Sequence, residues 1–108
     1  MMPGSSDPPA LSVTLYWRPG CRYCKALRSG LRRSGVTVPE VNIWDEPEGA
    51  AVVRGIASGN ETVPTLVVGE RSLVNPSTRR AVEAIRAYAP ELIGPEPERK
   101  FRRWRRLR

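Results

Sequence analysis

Two cysteines, Cys21 and Cys24, stand three positions apart in a chain of 108 residues that has no other cysteine and no histidine. Cysteine thiolates attack disulfide sulfurs, and a thiol three residues away can reach the same sulfur, so this spacing supports thiol-disulfide exchange within one pair. The pair follows Trp17-Arg18-Pro19-Gly20, where an apolar run ends in turn residues. A helix starting there would hold Cys21 at its N-terminus, beside unpaired backbone N–H groups that favour negative charge, and Cys24 one turn inside. Arg18, Arg22, Lys25, Arg28, Arg32 and Arg33 surround the pair, and residues 18 to 33 include no acid. Cys21 is therefore the expected nucleophile, acting as a thiolate without a general base, and Cys24 the resolving thiol.

Two competing readings exist. Both cysteines could be ordinary core residues, or they could be half of a zinc site completed by a second chain, since two thiols fall short of four ligands. The coincidence of turn, helix onset and basic flank favours exchange chemistry with no metal. Without histidine, Cys-His catalysis, Ser-His-Asp catalysis and histidine-ligated metals are excluded.

The elements that must position the pair follow from periodicity and punctuation. Leu11 to Trp17 is β-branched, aromatic and apolar, which predicts a strand. From Cys21 to about Ser34, Cys24, Leu27 and Leu31 recur at steps of three and four between charged residues, which predicts an amphipathic helix stopped by Gly35. Val36 to Trp44 reads as a second strand, with Pro39 placing its first part at an edge or before the paired section. Asp45 is the expected cap of a helix starting near Pro47, with Val52, Val53 and Ile56 as its buried stripe and Ser58-Gly59-Asn60 as its end. Thr65 to Val68 and Arg71 to Val74, split by Gly69-Glu70, predict a hairpin. Asn75-Pro76-Ser77 then opens a last helix carrying Val82, Ile85 and Tyr88 and ended by Pro90. The order β-α-β-α-β-β-α implies an α/β fold with helices packed on a four-stranded mixed sheet, its first two strands parallel.

One domain fits this length. It is placed at residues 11–93, between an N-terminal tail, 1–10, and a Gly/Pro linker with a basic tail, 94–108. The formal charge of +7 has an uneven origin: residues 1–98 hold 11 basic and 11 acidic side chains, whereas 99–108 hold seven basic and none acidic. Phe101, Trp104 and Leu107 recur every three residues among those arginines, so the tail suits an acidic partner, nucleic acid or an anionic membrane. Closely spaced cysteines do not make a disulfide scaffold, and the chain shows neither a secretory leader nor an apolar run of membrane-spanning length. A cytoplasmic monomer is expected.

Three segments in this order and spacing, Trp17-Arg18-Pro19-Gly20-Cys21-Arg22-Tyr23-Cys24, Glu61-Thr62-Val63-Pro64-Thr65 and Val74-Asn75-Pro76-Ser77, resemble the glutaredoxin-like proteins of actinobacteria called mycoredoxins. The resemblance covers about residues 12 to 92 and implies a thioredoxin-like, three-layer α/β/α fold. It also implies a cis bond before Pro64, with the backbone of Val63 offered to the substrate; a cis X-Pro bond turns the preceding peptide groups outward as a short strand edge. Arg18 stands where related proteins carry a lysine that helps bind the small thiol, and an arginine can grip a carboxylate with two bonds. Tyr23 matches a tyrosine that lines the cleft, and Asn75 and Ser77 match the N-P-S of the mycoredoxin pattern.

Departures from the pattern narrow the co-substrate. The Gly-Gly pair and following acid of glutathione-binding glutaredoxins are replaced by Leu73-Val74-Asn75-Pro76-Ser77, so mycothiol is the expected small thiol ahead of glutathione, with no tightly bound cofactor. Arg22 replaces the usual glycine or proline, and Trp17-Arg18-Pro19 is an unusual lead-in, so substrate choice has room to differ. The expected activity is reduction of mixed disulfides between proteins and a small thiol. Two alternatives stand beside it: a dithiol donor to a protein such as ribonucleotide reductase, recharged by a flavoprotein reductase, and a [2Fe-2S] carrier in which Cys21 of two chains and two small thiols hold the cluster.

Overall fold

The computed structural model describes residues 13–94; Leu11 and Ser12 of the first predicted strand, the N-terminal tail and all but Gly94 of the linker and basic tail lie outside them. The chain runs β1 (Val13–Trp17), α1 (Arg22–Arg33), β2 (Glu40–Asn42), α2 (Pro47–Ile56), β3 (Thr65–Val68), β4 (Arg71–Val74) and α3 (Thr78–Tyr88), and ends in a 3-10 turn at Pro90–Leu92. This is the order read from the sequence. The sheet order is β2-β1-β3-β4. β1 pairs parallel with β2 and antiparallel with β3, with Tyr16 opposite Val41 and Thr65, and β3 and β4 form the hairpin.

Period-two alternation sends β1 to both faces of the sheet. Val13 and Leu15, with Leu66, Val68 and Leu73, meet Leu27 and Leu31 of α1 and Ala81, Ala84 and Ile85 of α3 in the main core. Tyr16 turns to the other face, where Ile43, Ala50 and Val53 form a smaller core with Val63 packed against it. Helices therefore cover both faces, giving the three-layer thioredoxin-like arrangement. Among the described residues no helix is long and apolar enough to cross a membrane.

The α1–α3 contact is close because Gly30 leaves room for Thr78. A Cβ at residue 30 would collide with Thr78 Oγ1 and lie 2.9 Å from its Cγ2 and 3.0 Å from its Cβ.

Four details differ from the sequence reading. The paired part of β2 is three residues long, because Val36 is drawn away to bridge Ile93 while Pro39 O accepts from the amide of Leu15 at 2.9 Å. Asp45 does not cap α2: Glu46 holds that position without a side-chain bond, and the amides of Asp45 and Glu46 are used in a turn onto Asn42 O. The buried face of α2 is Gly49, Ala50 and Val53, whereas Val52 is 42% exposed. In α3, Ile85 is buried with Ala81 and Ala84, while Tyr88 is exposed and Val82 lies at the edge of the core.

The C-terminal end of the described chain returns to α1. Thr37 N donates to Leu92 O at 3.1 Å and Gly94 N to Gly35 O at 2.6 Å. This fastens the chain beside the C-terminal end of α1.

Candidate active site

β1 ends at Trp17, and the chain turns through Arg18-Pro19-Gly20 before α1 begins. Gly20 has φ +78°, a conformation that side chains with a Cβ rarely adopt, and it aims the next residue back over the helix start. Cys21 is the N-cap of α1: its Sγ accepts from the amide of Cys24 at 3.1 Å, and its carbonyl accepts from the amide of Lys25 at 3.0 Å. Serine or aspartate commonly fills this role; here a sulfur does, so the N–H that completes the cap also stabilises negative charge on that sulfur.

Cys24 lies one turn in and is 1% exposed, whereas Cys21 is only half-buried. Burial pushes the Cys24 thiol up to about 12, with the neighbouring Cys21 sulfur acting in the same direction and Arg18 opposing it. The two sulfurs thus differ in access, and burial keeps the inner one protonated. Cys21 can attack; Cys24 is held as a protonated thiol behind it.

On a second side of Cys21 stands the Glu61–Thr65 loop. The Val63–Pro64 bond is cis, as the resemblance implied, and the Val63 carbonyl oxygen lies 3.8 Å from Cys21 Sγ. Thr65 Oγ1 donates to Thr62 O at 2.8 Å, and Arg54 holds Glu61 at 2.7 Å, which fixes the loop at both ends. Pro64 O accepts from the amide of Asn75 at 2.8 Å, so the Asn75 segment is tied to the same loop. Asn75 has φ +51°, a left-handed conformation that asparagine tolerates better than most residues.

The remaining candidates fall into two groups. Arg18 lines a groove of about 530 Å³ that includes Cys21, together with Trp17, Lys25, Arg28 and Arg32. Tyr23 is 67% exposed, so it has no packing role, and it does not line this groove. Ser77 caps α3, its Oγ accepting from the amide of Arg80 at 3.1 Å. Sequence reasoning noticed the basic flank but missed the groove, which arises because Arg28 is stacked 4.0 Å over the ring of Trp17 and bonded to Glu40 at 2.9 and 3.1 Å. The only signal was that Cys21, Lys25, Arg28 and Arg32 lie on one helical stripe.

Comparison with known proteins agrees with this geometry. No curated protein matches the chain. Among solved structures, the glutaredoxin of Archaeoglobus fulgidus is 26% identical over 70% of this chain and 87% of its own, with a TM-score of 0.56. The glutaredoxin of Brucella melitensis is 28% identical over 70% and 83%, with a TM-score of 0.53. The glutaredoxin-like protein NrdH-redoxin of Escherichia coli is 27% identical over 57% and 79%, with a TM-score of 0.50. The glutaredoxin family model matches residues 13–73, which span both cysteines, the cis proline and the sheet. With the paired thiols at the start of α1, the chain is a thiol-disulfide oxidoreductase and belongs to the glutaredoxin family.

Proposed function

We propose that this protein reduces mixed disulfides between proteins and a small thiol, with mycothiol rather than glutathione as the co-substrate, as a monomer in the cytoplasm. The observation that carries the reading is the unequal pair: an accessible Cys21 sulfur held by the Cys24 amide at 3.1 Å, and a buried Cys24 thiol raised to about 12.

The Cys21 thiolate attacks the small-thiol sulfur of the mixed disulfide. A Cys21–S bond forms, the protein–S bond breaks, and the protein leaves as a thiolate that takes a proton from solvent. A second small thiol then attacks the same sulfur, leaves as the symmetric disulfide and returns Cys21 to its thiolate. Alternatively, Cys24 loses its proton and attacks Cys21, releasing the small thiol and closing an internal disulfide. Two electrons pass to the target in either route.

Support for the small thiol's identity comes from the Asn75-Pro76-Ser77 segment, which stands beside Pro64 where glutathione-binding relatives carry glycines. Arg18 and Val63 beside Cys21, and Pro64 with the Asn75 bonded to it, support the assignment of these four residues to substrate contact. Tyr23 and Ser77 keep weaker claims, one exposed away from the groove and the other engaged in a cap. The basic tail, outside the described residues, is assigned to an acidic partner, nucleic acid or anionic membrane on its charge alone.

A second reading draws on the resemblance to NrdH-redoxin, described as having a thioredoxin-like activity profile. In it the dithiol pair serves a protein disulfide directly and is recharged by a flavoprotein reductase. Turnover of one mixed disulfide with mycothiol, glutathione or a thioredoxin reductase as alternative electron source separates the readings. Mycothiol-dependent turnover is expected, and turnover only with the reductase would replace the first reading by the second.

A further inference from the structure

The groove beside Cys21 is cationic along its length. Cys21, Lys25, Arg28 and Arg32 follow one another at steps of four, three and four, so one stripe of α1 starts at the reactive sulfur and carries a positive charge at every later position. Arg28 is neutralised by Glu40 and packed on Trp17. Lys25 and Arg32 have no ion-pair partner among the described residues, and no acid lines the groove. A smaller cavity of about 200 Å³ shares Arg28 and Arg32, is lined also by Glu40, whose carboxylate Arg28 holds, and continues past Leu31 to Val36, Thr37 and Val38.

We infer that this track docks an acidic segment of the disulfide-bearing protein, next in sequence to the cysteine that leaves when Cys21 opens its mixed disulfide. The inference rests on the proposed protein substrate and names its chemistry. From Cys21 to Arg32 the helix rises about 16 Å, the length of about five extended residues. Lys25 and Arg32 are about 10 Å apart along the axis; an extended chain turns every second side chain to the same face, so carboxylates four positions apart, about 13 Å, meet these two long side chains from one side. The docked segment is a peptide because the track begins at the nucleophilic sulfur, and its occupant must bring a disulfide there; nucleic acid brings none. Such a surface acts mainly by steering encounter and fixing orientation.

The test uses the reduced full-length protein in single turnover, so that its own thiols supply the two electrons. Two synthetic peptides each carry one cysteine in a mixed disulfide with 2-mercaptoethanol, followed by two glutamates four positions apart or by glutamines in their place. At low salt the glutamate peptide should react about fivefold faster or more, and the advantage should shrink as added salt screens the charges. Lys25→Gln with Arg32→Gln should bring the ratio of the two peptides' rates close to one, and because the ratio is read within one protein any shared effect on Cys21 reactivity cancels. The basic tail is present in both proteins and cancels. Equal rates for the two peptides in the unsubstituted protein would overturn the inference, as would an advantage that survives the double substitution. Binding of a single-stranded oligonucleotide that is lost on double substitution, with no peptide preference, would reassign the track to nucleic acid. If neither peptide is reduced, the proposed function itself fails, a different result from equal reduction of both.

Discussion

The amide of Cys24 donates to the sulfur of Cys21 at 3.1 Å, so the resolving residue supports the nucleophile through its backbone while its own thiol stays buried beneath. One residue thereby has two separable effects. Its N–H supports charge on Cys21 and survives substitution by any residue other than proline, whereas its sulfur is required only to close the internal disulfide.

The first prediction follows from that separation. Cys21→Ser should lower mixed-disulfide reduction at least about a thousandfold, because the hydroxyl that replaces the sulfur is a poor nucleophile toward sulfur. Cys24→Ser should keep turnover supported by a small thiol and lose the internal disulfide. Coupled thiol-release assays, with mass spectrometry of the oxidised protein, check both outcomes.

The second concerns pH. A Cys24 thiol at about 12 is deprotonated in about one molecule in 10⁵ at pH 7, and that fraction rises tenfold per pH unit until about pH 12. Iodoacetamide should therefore label Cys21 alone in the native protein at neutral pH. Because the native pKa lies above the ordinary thiol value of 9.0, the unfolded chain gives up this proton first as pH rises. Stability contributed by the buried thiol is complete below about pH 9 and is lost between about pH 9 and 12. Urea titrations across that window should show a steeper decline for the unsubstituted protein than for Cys24→Ala.

The third concerns Ser77. Its hydroxyl accepts the Arg80 amide at the start of α3, so Ser77→Ala should cost about 1 kcal/mol of stability and Ser77→Asp should restore most of it. Urea midpoints measure the difference.

The fourth sets two opposed effects against each other at Gly30. Alanine gains about 1 kcal/mol over glycine in a helix interior, but its Cβ would collide with Thr78, and overpacking costs about 1–3 kcal/mol. Rotating Thr78 gives little relief, because its side chain is β-branched and its Cβ is itself close. Gly30→Ala should therefore destabilise, and adding Thr78→Ala should recover much of the loss. A double-mutant cycle by thermal unfolding tests the coupling.

Much of this was legible in the sequence because turns and caps are local. Pro19-Gly20, Gly35 and Gly69-Glu70 marked element ends, and the cysteine spacing with Pro64 marked the reactive centre. What was misread depends on packing at a distance. Large apolar residues suggested Val52 and Tyr88 as core positions, yet α2 and α3 approach the sheet through Gly49, Ala50, Ala81 and Ala84, whose small side chains carry little hydrophobic signal. Asp45 looked like a cap from its type, but the turn onto Asn42 uses its amide before α2 begins. The groove needed Glu40, far along the chain, to fix Arg28 against Trp17.

The bonds that fasten Leu92, Ile93 and Gly94 to Thr37, Val36 and Gly35 set a tethering point for everything after them. That point lies at the end of α1 opposite the nucleophile, one 12-residue helix or about 18 Å away, and beside Val36–Val38 where the cationic track finishes. Fourteen residues follow Gly94, and a fully extended chain of that length reaches at most about 50 Å. The seven positive charges of residues 99–108 therefore operate within a bounded radius centred away from the sulfur.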